Sequence, residues 1–222
     1  MFELIEKGGQ LMWLLLGCSV VAMAVAAERL LYFYRATLHV GELLQGVGKL
    51  VTQGRFDEAL RECRAAPGPV ARVIQAALQR PFLPRSDLRD VVQEAGQIEV
   101  GRLESHLPVL STIALTAPLI GLLGTVLGLV EVFIQISEVT GYATPVQLSR
   151  GVYQSLVTTA GGLVVGVPAY LFYSYLTSRV GTLMHDMERA GIEIVNLLDD
   201  AHHHDLPAEP ATAPDAGSAP TA

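Results

Sequence analysis

The stretch Leu107-Pro108-Val109-Leu110-Ser111-Thr112-Ile113-Ala114-Leu115-Thr116-Ala117-Pro118-Leu119-Ile120-Gly121-Leu122-Leu123-Gly124-Thr125-Val126-Leu127-Gly128-Leu129-Val130 carries no charged side chain. As a helix rising 1.5 Å per residue it reaches roughly 36 Å, and about 20 residues suffice to cross the hydrocarbon of a bilayer. Two more stretches share its character. Gly8 to Ala27 is uncharged and stops at Glu28-Arg29, just before the interfacial aromatics Tyr32, Phe33 and Tyr34. Gly151 to Ser178 is the third. Three such runs in 222 residues predict an all-α membrane protein with three transmembrane helices and the lipid bilayer as its solvent.

Composition agrees. Only 17% of the residues are charged, against about a quarter in a soluble domain, and the deficit is confined to these runs. The net charge of -7 is unevenly placed: after Asp199 come Asp200, Asp205, Glu209 and Asp215, with neither Lys nor Arg. No basic patch of the nucleic-acid type occurs, so no nucleic-acid partner is expected. The segment before the first run holds Glu3 and Glu6 against Lys7, which lacks the positive start of a secretory signal; it reads as an uncleaved span.

Basic residues set the orientation. Arg29, Arg35, Lys49, Arg55, Arg61, Arg64, Arg72, Arg80, Arg85, Arg89 and Arg102 lie between the first two spans, whereas the short second connection holds only Arg150. The positive-inside rule then makes the long loop cytoplasmic, with the N-terminus outside and the C-terminus inside. The expected organisation is an N-terminal segment with the first span (residues 1–37), a cytoplasmic helical loop (38–106), the second span (107–136), a short periplasmic connection (137–150), the third span (151–178), a cytoplasmic helical extension (179–200) and a disordered acidic Ala/Pro-rich tail (201–222). The loop breaks at Pro67-Gly68-Pro69 and at Pro81 and Pro84. From Ser86 to Glu104 the spacing of Leu88, Val91, Val92, Ala95, Ile98 and Leu103 predicts an amphipathic helix running straight into the second span. Leu183, Met187, Ile192, Ile194, Leu197 and Leu198 extend the third span in the same way, towards a cytoplasmic bundle. Cys18 falls in a span and Cys63 in a polar loop, as two unpaired thiols. The tract His202-His203-His204 opens the tail and reads as solvated; no metal and no cofactor are expected.

Polar residues inside the spans form stripes. At 100° per residue, Ser155, Thr159, Gly162, Gly166 and Tyr173 share one face of the third span, and Ser111, Pro118, Gly121, Thr125 and Gly128 one face of the second. Close helix packing through Gly124-x-x-x-Gly128 and Gly162-x-x-x-Gly166 explains such faces, and so does a polar pathway. Pro118 and Pro168 add kinks or freed carbonyls. No Asp, Glu, Lys, Arg or His lies within the central two-thirds of any span, so a conducted ion would need a carboxylate from another polypeptide.

Leu110 to Gly128 resembles the second-span signature of the ExbB/TolQ/MotA proton-channel family, and Thr159-Ala160-Gly161-Gly162-Leu163 with Val167-Pro168-Ala169 resembles its third-span signature. The resemblance covers nearly everything before the tail. It implies a ring-forming homo-pentamer around a dimer of a single-span ExbD/TolR-like partner whose membrane Asp takes up the ion. It also implies that Thr125 and Thr159 face the pore and that Asp, with Ser155, Thr158 and Gln154 nearby. Relatives commonly carry a Glu where this chain has Gln154, which hydrogen-bonds but does not titrate. The expected function is the channel-forming subunit of an ion-driven inner-membrane motor that powers TonB-type uptake or Tol-type envelope work. A gliding-type motor subunit and a non-conducting scaffold are the alternatives. No nucleophile–base pair or metal cluster points to an enzyme.

Overall fold

In a computed structural model, residues 10–36, 40–138 and 145–205 are described. Among them the ordered elements are α-helices: α1 (Gln10–Ala36), α2 (Val40–Thr52), α3 (Phe56–Ala65), α4 (Pro69–Leu78), α5 (Arg85–Glu104), α6 (Leu107–Glu138) and α7 (Pro145–Asp205). Three of these helices are long and apolar enough to cross a membrane: α1, the α5–α6 stretch through its α6 part, and α7. A chain in lipid has no water for its N–H and C=O groups, so each uncharged run closes its backbone bonds on itself. α6 and α7 pack against one another over the greatest length, and α1 lies across both. With 61 residues, α7 extends about 90 Å, far more than a bilayer needs. Its second half is the spine of a bundle with α2, α3, α4 and α5.

Sequence punctuation shapes that bundle. α2 ends in a Schellman turn: Gly54 adopts a φ of 72°, its N–H donates to Val51 O, and Arg55 N–H donates to Leu50 O. Gly68, with a φ of 126°, leads into Pro69 at the first position of α4, where a missing N–H costs nothing. The core gathers Val47, Val51, Ala59, Val70, Ile74 and Leu88 onto Leu183, Met187, Ile194 and Leu198 of α7. Fully burying each such side chain contributes about 1.5–3 kcal/mol. A second, smaller core inside the spans joins Leu15 and Ala22 of α1 to Ile113, Ala114 and Ala117 of α6 and Ala169 of α7. The outer faces of the spans stay uncovered in the single chain: Trp13, Val20, Leu119, Leu122, Val126, Val164 and Leu171 are all exposed. That is surface for lipid or for neighbouring chains.

Four expectations change. Cys63 is not in a polar loop but on α3, 2% exposed within the bundle core. Burial, with the Glu62 carboxylate adding, pushes its thiol up to about 12. At pH 8 a maleimide should therefore modify Cys63 on the order of a hundredfold more slowly than an exposed cysteine, and denaturation should remove the difference. Next, α5 does not run straight into α6. Pro108 has no N–H for the Glu104 carbonyl, and a turn at Ser105-His106 separates the helices. Ile98 also leaves the apolar face of α5 and is half exposed. Finally, α7 continues to Asp205, so residues 201–205 of the expected tail are helical. The side chains of His202–His204 and all of residues 206–222 lie outside the described residues.

Candidate ion pathway

The α6–α7 seam is built on missing side chains. A Cβ on Gly162 would lie 2.6 Å from Ala117 O and 3.0 Å from Gly121 Cα. One on Gly121 would meet Thr159 Cα at 3.1 Å, and one on Gly124 would meet Thr158 Cγ2 at 2.5 Å. A Cβ on Gly128 would run into the Ser155 hydroxyl. Gly166 makes room for the Pro118 ring, 2.7 Å from where its Cβ would be. Pro118 and Pro168 both sit inside unbroken helices. The glycine stripes are thus an intramolecular packing surface, with backbone against backbone.

The hydroxyls divide into two sets. Ser155 and Thr158 are 3% and 2% exposed, and each donates to a carbonyl of its own helix: Ser155 Oγ to Gly151 O at 2.8 Å, Thr158 Oγ1 to Gln154 O at 3.0 Å. Thr125 and Thr159 lie half-buried on the flanks of the seam. Thr125 Oγ1 donates to Leu122 O at 2.6 Å, and Thr159 Oγ1 crosses between helices to Gly121 O at 3.0 Å. Gln154 is half-buried near the start of α7. Ser111 points back to Pro108 O and takes no part in the seam; Ala114 and Ala117 pack there instead. Tyr173, half-buried, packs against the larger of the two cores.

Below the spans is a charged node that the sequence does not announce. Arg29, at the end of the first span, is 5% exposed. Its Nη1 donates to Arg102 O at 3.3 Å, and its Nη2 donates to Ser105 Oγ at 2.6 Å and to His106 Nδ1. The cation and the Ser105 hydroxyl together serve the Arg102 carbonyl at the end of α5, where the helix supplies no further N–H. Glu99, 3% exposed, bonds Arg72 at 2.8 Å and Arg102 at 2.5 Å, while Arg72 Nη2 donates to Tyr32 Oη at 3.2 Å. The two clusters tie α1, α4 and α5 to the joint before α6. The Glu99–Arg102 pair is a local i,i+3 contact, but the bonds that make the node lie 27 to 77 positions apart and leave no mark on the sequence.

Comparison with known proteins adds the family. The sequence model of the MotA/TolQ/ExbB proton channel family matches residues 65–189, more than half of the chain. The chain belongs to this family. Biopolymer transport protein exbB1 of Vibrio cholerae is 31% identical over 199 residues, covering 88% of this chain and 86% of that protein. An ExbB homolog of Methanothermobacter thermautotrophicus is 28% identical over 179 residues, and the match spans 80% of this chain but 63% of that relative's length. The Tol-Pal system protein TolQ of Haemophilus influenzae is 36% identical over 88 residues, 40% of this chain and 38% of its own. The family region runs from the end of α3 into the second half of α7 and so contains the whole seam. This member of the MotA/TolQ/ExbB family is a multi-pass protein of the inner membrane.

Proposed function

We propose that this chain is the channel-forming subunit of an ExbB/TolQ-type energiser, driven by the ion-motive force and working on the periplasmic side or the outer membrane. Copies of α6 and α7 form a homo-pentameric ring around a dimer of a single-span ExbD/TolR-like protein, whose membrane Asp carries the ion past Thr125 and Thr159. One observation supports this above the rest. The central parts of all three spans hold no Asp, Glu, Lys, Arg or His, yet two threonine hydroxyls remain half-buried beside a closely packed seam. Hydroxyls can solvate a carboxyl group without themselves becoming charged. Each charge crossing about 100 mV supplies about 2.3 kcal/mol, so mechanical work draws on several ions per cycle.

Purification through a tag on this chain, followed by native mass spectrometry, should give a pentamer carrying a short single-span protein. A stable monomer without such a protein would overturn the reading. The proposed orientation has a separate check, made in a Cys18→Ser background because Cys63 is buried and silent. A cysteine replacing Gly141 should react with an impermeant thiol reagent in spheroplasts, and one replacing the exposed Gln53 should not. The reverse pattern would invert the topology.

A further inference from the structure

Arg29 is a buried cation held by neutral groups. A guanidinium has N–H donors and no acceptor, so every bond it makes runs outward. Nη2 carries two protons and gives one to Ser105 Oγ and one to His106 Nδ1, while Nη1 donates to Arg102 O at 3.3 Å. The Nε–H is buried as well and has no partner. The direction of these bonds decides the state of the imidazole. His106 Nδ1 accepts only as the bare nitrogen of a neutral ring, with the proton on Nε2. A protonated ring would turn an N–H towards the guanidinium and set two cations against each other. Glu28 is then the better neighbour, with its Oε1 3.6 Å from the same Nδ1. Arg29 has no room to adapt. It is 5% exposed, and without His106 it becomes a cation with two unmatched N–H groups away from water. The His106 side chain is half exposed, so protons from solution reach it.

The charged and titratable groups around the ring come from three helices. α1 supplies Glu28 and Arg29, with the Tyr32 ring 5.7 Å from the guanidinium. α5 supplies Arg102, whose side chain is bonded to Glu99, and the exposed Glu104. Arg72 of α4 reaches the same Glu99 and Tyr32.

We infer that His106 is a proton-operated latch on the joint before α6. Neutral, it accepts from Arg29 and pins the end of α1 to the Ser105-His106 turn. Protonated, it leaves Arg29 for Glu28, and the pin is released. The tie from Arg72 to Glu99 and Tyr32 contains no histidine, so the joint loosens while the bundle stays folded. The latch stands on this geometry alone. Under the proposed orientation it faces the cytoplasm, where a build-up of protons would loosen the hold on α6; that consequence rests on the proposed function.

Spin labels on Leu31→Cys, in α1, and Gly101→Cys, in α5, report the joint in a Cys18→Ser background. Leu31 is exposed, and a Cβ on Gly101 meets nothing within 4 Å. Co-expression with an excess of chain lacking both introduced cysteines keeps labelled copies apart. Histidine changes its charge between about pH 5 and 8, and the label-to-label distance is followed across that window in detergent. A longer-distance population should grow as the pH falls, by about tenfold over the window, the factor that a hydrogen bond to a charged group contributes to an equilibrium. In His106→Asn, whose Oδ1 takes the place of Nδ1 and does not titrate, the distance should stay fixed. No growth in the unchanged chain, or the same growth in His106→Asn, would overturn the latch. Should His106→Asn be open already at pH 8, Glu28→Gln decides. The midpoint should then move to lower pH, because the charged ring has lost its carboxylate, and an unmoved midpoint would overturn the inference. Either failure leaves the proposed function standing, since no readout here depends on conduction or on a partner.

Discussion

Replacing Gly162 by valine should separate α6 from α7 and leave no folded membrane core. Its Cβ would approach Ala117 O at 2.6 Å and the N and Cα of Gly121 at 3.2 and 3.0 Å. These are backbone atoms, which cannot swing aside as a side chain would. Overpacking costs about 1–3 kcal/mol where neighbours can yield, and here a whole helix must move. The better helix propensity of the new residue returns less than about 1 kcal/mol. Crowding wins. Gly181, also on α7, has nothing within 4 Å of its Cβ position. Gly181→Ala should therefore raise thermal stability in detergent slightly, while Gly162→Val yields aggregated or monomeric chain. Equal melting temperatures for the two variants would show that the helices are not in contact at Gly162.

Thr159→Val should behave in the opposite manner, assembling normally and losing function. The substitution keeps volume and branching, and the seam is held by glycine contacts that it leaves alone. It costs the interhelical bond to Gly121 O, worth about 1 kcal/mol, which a packed pair of helices tolerates. A moving group that loses a ligand in a medium without water has no substitute for it. Ion-driven activity should fall by at least about tenfold with the oligomer intact. Gln154→Glu is the companion variant, restoring a titratable group near the start of α7. A fully active Thr159→Val, alongside an inactive Pro168→Ala, would instead assign the third span a purely conformational role.

Much of this architecture is legible in the residues, for a simple reason. Lipid forbids unpaired backbone and unpaired charge, so uncharged runs such as 107–130 and 151–178 announce themselves. The rotation of one helix against another is harder to read. Helical periodicity groups Ser155, Thr159, Gly162 and Gly166, but Thr158 is the threonine that turns into the seam and Thr159 its flank. In the second span Ala114 and Ala117 pack where the stripe suggests Ser111. A 100° repeat says which residues share a face and not what that face meets. Pro108 does mark the break before α6, since a proline inside an otherwise helical stretch denies a bond to the turn behind it. Of the Arg29 and Glu99 clusters only the i,i+3 pair Glu99–Arg102 has a local signal, because the other bonds join segments distant in the chain. The burial of Cys63 is legible only once its helix packs between α2 and α4.

Ion flux measured in proteoliposomes tests the central claim most directly. The complex purified through this chain is reconstituted, a pH gradient and a membrane potential are imposed, and the internal pH is followed with a trapped dye. The account predicts proton entry above the leak of empty vesicles, abolished by Thr159→Val and by removal of the single-span partner. An intact complex that conducts no more than empty vesicles under either driving force would contradict it.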